Sequence, residues 1–517
     1  MGTKIVVDPV TRIEGHLRLE VEVENGIVVN AWTKGTMFRG IEQIVQNRDP
    51  RDAIYITERV CGVCMGSHGW TSALALEDAF KTNLPRVARL IRNLLVGSLW
   101  LHDHVLHFYH LSALDYLDIL AIKDYQGHDK DLLGVKDKIM KLVQIGDTAP
   151  FTPRYQPDDY SIKNPEMVTS AVAHYIQALK IQGIAKKMSA ILGGKQPHQS
   201  SIVLGGVTLC PTEKQLEQFK TLLEEVADFI TKIYIPDVEA FATGPLLSLA
   251  RSEFGKGPGN YLAYGAFPMT DSGDGKLMGG GFISENRLQS PQPVDQKEIT
   301  EAVTYSWYQE TSPAHPWAGA TEVDLDKENA YSFIKAPRYN GFATEVGPLA
   351  RMLVSKNERL LTTMQKYSMQ PGTVTRHLAR AYETDLVLKA MQGWLEDLAH
   401  EVTSRTSATK IHDSSSWEPI ESGQGVGLNE APRGALGHWV KIEDHKIKNY
   451  QMVVPTTWNA SPRDENGVPG PIEQALIDTE VNPDNPINLV RVIRSFDPCL
   501  ACAVHLLTPS GGKIVKL

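Results

Sequence analysis

Apolar and charged residues alternate strictly near the start of the chain. Leu17, Leu19, Val21 and Val23 fall on one face, and Arg18, Glu20, Glu22 and Glu24 on the other. A period of two marks a half-buried strand. Asn25-Gly26 turns the chain into Ile27–Trp32, so residues 16–32 predict a β-hairpin. The period then changes. From Pro85 to about Leu111, Val87, Leu90, Ile91, Leu94, Leu95, Leu99, Val105, Leu106 and Tyr109 recur at helical spacing, with Pro85 fitting the first helical position. A second helix is expected from Pro165 to Leu192, stopped by Gly193-Gly194. A third runs from Glu213 to Ile235 and is closed by Pro236. Residues 346–368 and 373–408 read as two more. The stretch 252–295, rich in Gly, Pro and Ser, predicts loops and short strands, and 410–490 reads as irregular.

The long helices carry wide apolar faces. They are expected to pack as a central bundle with small sheets at its periphery. The class is α+β, mainly α. At 517 residues and 42% apolar content the chain buries a large core, and a net charge of −9 offers no basic field for nucleic acid. No apolar run reaches the ~20 residues that span a bilayer. Met1–Asp8 lacks the charged-then-apolar pattern of a secretory leader, so no signal of its own is expected.

Four of the five cysteines form two Cys-x-x-Cys pairs at opposite ends: Cys61 and Cys64, then Cys499 and Cys502. This is no disulfide framework. Two pairs make a set of four soft sulfur ligands suited to zinc, iron–sulfur, nickel or copper(I). Almost the whole chain separates them, so the site forms only after most of the fold is built. A structural zinc site closes a short loop instead. The N- and C-terminal segments are therefore expected to meet at a buried metal site. Cys210 reads as a small buried residue.

The first pair sits in Glu58-Arg59-Val60-Cys61-Gly62-Val63-Cys64-Met65-Gly66-Ser67-His68, after a short stretch read as extended, and a helical pattern resumes by Leu74. Arg59 supplies positive charge that favours thiolates. His68 reads as a further ligand, a donor to a sulfur, or a satisfied histidine. The second pair follows a turn at Asp497-Pro498.

With these motifs stand Asp8-Pro9-Val10-Thr11-Arg12-Ile13-Glu14-Gly15-His16, Phe38-Arg39-Gly40-Ile41-Glu42, Gly193-Gly194-Lys195-Gln196-Pro197-His198 and Ala431-Pro432-Arg433-Gly434-Ala435-Leu436-Gly437-His438. Taken in this order, they make the chain resemble the large, catalytic subunit of the nickel–iron hydrogenases nearly end to end.

The resemblance implies a division of the chain. Residues 1–60 would form a hairpin region leading to the first metal motif. Residues 61–505 would form a helical catalytic core, with Gly/Pro-rich β and loop insertions near 240–345 and 410–490. Residues 506–517 would be a tail removed on maturation by an endopeptidase. It also implies heterolytic cleavage of H2 at nickel held by Cys61, Cys64, Cys499 and Cys502. Cys64 and Cys502 would bridge to an iron that carries carbon monoxide and cyanide. Arg433 matches the arginine above the metals, with Asp103 and Asp497 positioning it and Pro432 shaping the pocket. From pattern alone Asp103 is a solvated helix charge. Glu14 matches the glutamate that takes protons from Cys499. Glu42 and His505 resemble ligands of a magnesium ion. His198 matches a residue near the centre, while His104, His107 and His110 read as packing or surface groups.

Partners implied are an iron–sulfur small subunit in an obligate heterodimer and, beyond it, a membrane cytochrome b or quinone-linked subunit. The style of the first cysteine motif and of Asn47-Arg48-Asp49-Pro50-Arg51 resembles the respiratory uptake group. Members of that group work at the periplasmic side of the cytoplasmic membrane, exported with the small subunit; a cytoplasmic site is the alternative. Two other readings compete. One is a scaffold subunit of a related respiratory complex, which would lack the cysteine pairs. The other is a structural tetrathiolate zinc protein, which would not need Glu14, Arg433 and Asp103.

Overall fold

The computed structural model describes residues 2–149, 151, 155–273, 275–284, 290–309, 313–404 and 409–503. The expected hairpin is present as Leu17–Glu24 paired with Ile27–Gly35, and Thr3–Val7 adds a third antiparallel strand at its edge. Leu17, Leu19 and Val21 are fully buried, as the alternation requires.

The centre is a bundle. The helix Arg86–Leu106 lies between Pro165–Gly193 and Thr373–Thr403. Its apolar face explains this burial, but so do groups that pattern alone puts in water. Arg92, Asp103, His104 and His107 have essentially no exposure, and each has a polar partner. Pro85 caps this helix in extended conformation and does not begin it. The helix ends in a π turn, His107–Ser112.

Other boundaries also depart from expectation. Pro236 does not end the third helix. Glu213–Phe229 passes through a π turn, Ile230–Tyr234, into Ile235–Thr243, so the chain stays helical across Pro236. Residues 346–368 form two helices, Pro348–Val354 and Glu358–Tyr367. Lys356 takes a left-handed φ, and the Asn357 side chain accepts from Leu360 N to start the second. The stretch before Cys61 is not extended but a helix, Asp52–Thr57, followed by a 3-10 turn, Glu58–Val60; the helix that is under way by Leu74 runs Met65–Phe80.

The largest correction lies in 410–490. It contains a three-stranded antiparallel sheet, Gly423–Ala431, Gly434–Glu443 and Lys446–Val453. The central strand is buried on both faces over most of its length, which removes the alternation that announces a strand. The sheet lies on the helix Met65–Phe80. A Cβ on Gly425 would stand 2.0 Å from the Ala75 carbonyl oxygen, so glycine permits the close approach.

His107 and His377 stack in the core with ring centroids 5.3 Å apart. Burial, then the Arg380 charge, hold both below the usual imidazole range, His377 at about 3. Unfolding frees both rings to bind protons below about pH 6.5. Their folded values lie below their unfolded ones, so stability is full above that pH and is lost as pH falls toward 3. Each ring removes about 1.4 kcal/mol per pH unit within that window. The melting temperature is expected to fall between pH 7 and 5, and to fall less in His377→Gln. Equal pH slopes in the two proteins would contradict this reading.

Candidate metal centre

The first cysteine pair is shaped by local backbone. Cys61 is extended after the 3-10 turn, and Cys64 caps the helix Met65–Phe80. The Cys61 sulfur accepts from Val63 N at 3.2 Å and Cys64 N at 3.1 Å, so the turn presents both sulfurs together. The second pair leaves the helix Ile487–Ser495 through Asp497, whose φ is left-handed. Cys499 N donates to the Thr456 hydroxyl at 2.9 Å, and Cys502 rides on the short helix Leu500–Ala503.

The two ends converge. Cys61 and Cys499 sulfurs stand 3.3 Å apart, as do Cys64 and Cys502, and Cys499 lies 2.9 Å from Cys502. All four sulfurs are buried and lie within 4.8 Å of one another. Burial, reinforced at Cys499 by the neighbouring sulfurs and opposed at Cys502 by the Cys499 sulfur, raises the Cys499 and Cys502 thiols well above the usual range. For Cys502 burial again leads, and hydrogen bonding to Cys61 and Cys64 adds to it. Burial also opposes ionisation of Cys61, yet hydrogen bonds from the other three sulfurs hold it well below that range. Four sulfurs gathered this closely suit one shared cation, and four soft donors fit nickel.

Glu14 joins the N-terminal segment to the second pair. Its carbonyl accepts from Leu500 N at 2.7 Å, and its carboxylate accepts from Ala501 N at 3.0 Å. The Cys499 sulfur lies 3.1 Å from the same carboxylate oxygen. Burial and the Cys61 charge raise the Glu14 carboxyl above its usual range. Gly15, at a φ of 80°, makes the approach possible, since a Cβ there would stand 2.7 Å from Ala501 N.

Arg433 is buried and bridges two carboxylates, Asp103 at 3.0 Å and Asp497 at 3.2 Å. Asp103 is therefore no solvated helix charge; the arginine accounts for its burial. Burial opposes the guanidinium charge, but Asp497 and Asp103 outweigh it and the group stays protonated. Burial pushes Asp497 up to about 6 despite Arg433. Pro432 is buried beside it.

The remaining expected residues spread outward. His68 is buried, with Nδ1 at 3.3 Å from His438 Nε2, and His438 continues to the Tyr450 hydroxyl at 2.8 Å. His198 takes a left-handed φ after a cis Gln196-Pro197 bond. Glu42 is buried and accepts from the Thr321 hydroxyl and from Met452 N at 2.8 Å. His505 and the tail 506–517 lie outside the described residues. Cys210 is half-buried at the margin of the core, less buried than expected. Sequence reasoning missed Thr456, which no motif marks. It also missed Glu430, although that carboxylate directly precedes Ala431-Pro432-Arg433 and adjacency could have found it.

A buried centre of four sulfurs, with a carboxylate and a guanidinium beside it, is the donor set of a metalloprotein. The description "Nickel-dependent hydrogenase" matches residues 39–505, and one called HoxL-like matches residues 4–32. The chain is 38% identical to the uptake hydrogenase large subunit of Bradyrhizobium diazoefficiens, covering 100% of this chain and 97% of that one. It is 37% identical to the hydrogenase-2 large chain of Escherichia coli K12, with 100% of both covered. The Ni-Fe-Se hydrogenase from D. vulgaris Hildenborough in the reduced state superposes with a TM-score of 0.85 at 38% identity, covering 98% of this chain and 100% of that one. The chain belongs to the nickel-dependent hydrogenase family. It is a large, catalytic hydrogenase subunit that cleaves H2 reversibly to protons and electrons, and the scaffold and zinc readings fall away.

Proposed function

We propose that nickel is held by all four cysteines, with Cys64 and Cys502 also bridging to an iron completed by carbon monoxide and cyanide. The convergence of the sulfurs from both ends supports this arrangement, and it carries the reading. When bound, the nickel–iron centre polarises dihydrogen and takes up its electrons. The protein handles the proton. Cys499 accepts it on sulfur and passes it to the Glu14 carboxylate at 3.1 Å. Burial raises the Glu14 carboxyl above its usual range, which favours its taking up the proton. Arg433, anchored by Asp103 and Asp497, holds positive charge over the site. Pro432 fills the wall near the iron's diatomic groups, and His68 sets the surroundings of Cys64.

Glu42 and His505 are read as ligands of a magnesium ion. A carboxylate such as Glu42 is the hard oxygen donor that magnesium prefers. Four of the five cysteines are committed to one centre, so electrons leave through a partner, an iron–sulfur small subunit in a heterodimer. The relatives' designation as large subunits and large chains supports that partner. The designation "uptake hydrogenase" supports a place at the periplasmic side of the cytoplasmic membrane, passing electrons to a membrane cytochrome b or quinone-linked subunit. No described helix is long and apolar enough to cross a membrane. Residues 506–517 are read as a tail that a maturation endopeptidase removes; the family match ends at residue 505, which supports that boundary.

Glu14→Gln tests the proton route. The amide keeps the size and the acceptor for Ala501 N but cannot carry the proton. The variant is expected to retain nickel and to slow hydrogen/deuterium exchange with solvent by about 10²-fold or more. An unchanged exchange rate would take Glu14 out of the route.

A further inference from the structure

The guanidinium of Arg351 uses every donor it has. Nε and one Nη donate to Glu383 at 2.7 and 2.6 Å. The other Nη donates to Glu430 at 2.7 Å and to the Ala431 carbonyl at 2.9 Å. The fifth bond goes to the Pro432 carbonyl at 2.8 Å. The group is fully buried and lies 4.5 Å above the Trp100 ring. Its carboxylate partners are filled as well: Glu383 also meets His104 at 2.9 Å, and Glu430 accepts from Tyr264 N at 2.7 Å. A buried network whose guanidinium and carboxylates are all paired holds one geometry and resists any other.

The position of these bonds matters. Two of them fix the carbonyls of the residues immediately before Arg433. Trp100 stands three residues before Asp103 on one helix face, so its ring and the Asp103 carboxylate share a side. Arg351 therefore grips both the turn that carries Arg433 and the helix that carries its anchor. The 3.0 Å Arg433–Asp103 contact spans those same two elements.

We propose that Arg351 is a positioning residue for Arg433, locking the turn 431–433 against the Asp103 helix so that the Arg433 guanidinium is held over the metal centre. This rests on the role given to Arg433 above. Lysine cannot substitute, because its three donors radiate from one point and cannot fill a five-bond fork.

The test compares Arg351→Lys, Arg433→Lys and the double variant in the complete enzyme. The first readout is amide hydrogen exchange of the peptide spanning 428–438, with 65–80 as the internal control. In Arg351→Lys, exchange at 428–438 is expected to rise at least tenfold with 65–80 unchanged and nickel content retained. The second readout is turnover: kcat falls at least tenfold with KM unchanged, and adding Arg351→Lys to Arg433→Lys lowers it little further. Unchanged exchange at 428–438 overturns the proposal whatever Arg433 does. Multiplying losses in the double variant also overturn it. If Arg433→Lys alone keeps full turnover, the role of Arg433 fails instead, and exchange alone then decides whether Arg351 fixes the turn. Should Arg351→Lys not fold, Glu430→Gln, which keeps size and one acceptor, is read by the same exchange criterion.

Discussion

Replacing Cys499 by serine is expected to abolish H2 turnover while leaving the helical bundle folded. The sulfur sits at the meeting point of the two chain ends, 3.3 Å from Cys61, 2.9 Å from Cys502 and 3.1 Å from the Glu14 carboxylate. A hydroxyl is a hard donor that stays protonated near neutral pH, so it loses both the metal bond and the proton carrier. Losing an outer partner of a metal ligand costs about 10- to 100-fold, and losing a ligand that also carries the proton should exceed that. The backbone of Cys499 is held by Thr456 and needs no sulfur. Circular dichroism should therefore show the helical bundle retained while nickel content and turnover collapse, with the melting temperature lowered only by the loss of the bound metal. Normal turnover in Cys499→Ser would remove this residue from the centre.

Arg433→Lys should cut kcat by about 10²-fold or more with nickel retained. Lysine preserves the charge but not the fork that reaches Asp103 and Asp497 at once. A single ammonium can sit with one carboxylate, leaving the other buried without its partner. Steady-state kinetics beside metal analysis separate this from loss of the centre. An unchanged kcat would make Arg433 only an ion-pair partner.

Much of this arrangement was legible in the chain. The hairpin followed from strict alternation and Asn25-Gly26, because one face is buried and the other carries the charged residues, of which Glu22 and Glu24 are exposed and Glu20 is buried among basic partners. The long helices followed from their apolar stripes. The two cysteine pairs announced a shared centre because their spacing suits one metal and their separation demands a finished fold. What stayed hidden depends on contacts made across the whole molecule. Asp103 reads as a surface charge until Arg433 arrives from more than 300 residues away, a separation of 330. The strand Gly434–Glu443 lost its alternation by being buried on both sides. The break at Ser355–Asn357 turned on one capping asparagine inside an otherwise helical pattern. Arg351 sits in an apolar helix start, Pro348–Val354, where nothing local says that five bonds await it.

Nickel-edge X-ray absorption on the purified enzyme tests most directly whether residues from the two ends of the polypeptide grip one ion. This account expects nickel surrounded by sulfur, with the signal lost in Cys61→Ser and Cys499→Ser alike. A nickel shell of nitrogen and oxygen, or one that survives either substitution, would contradict it.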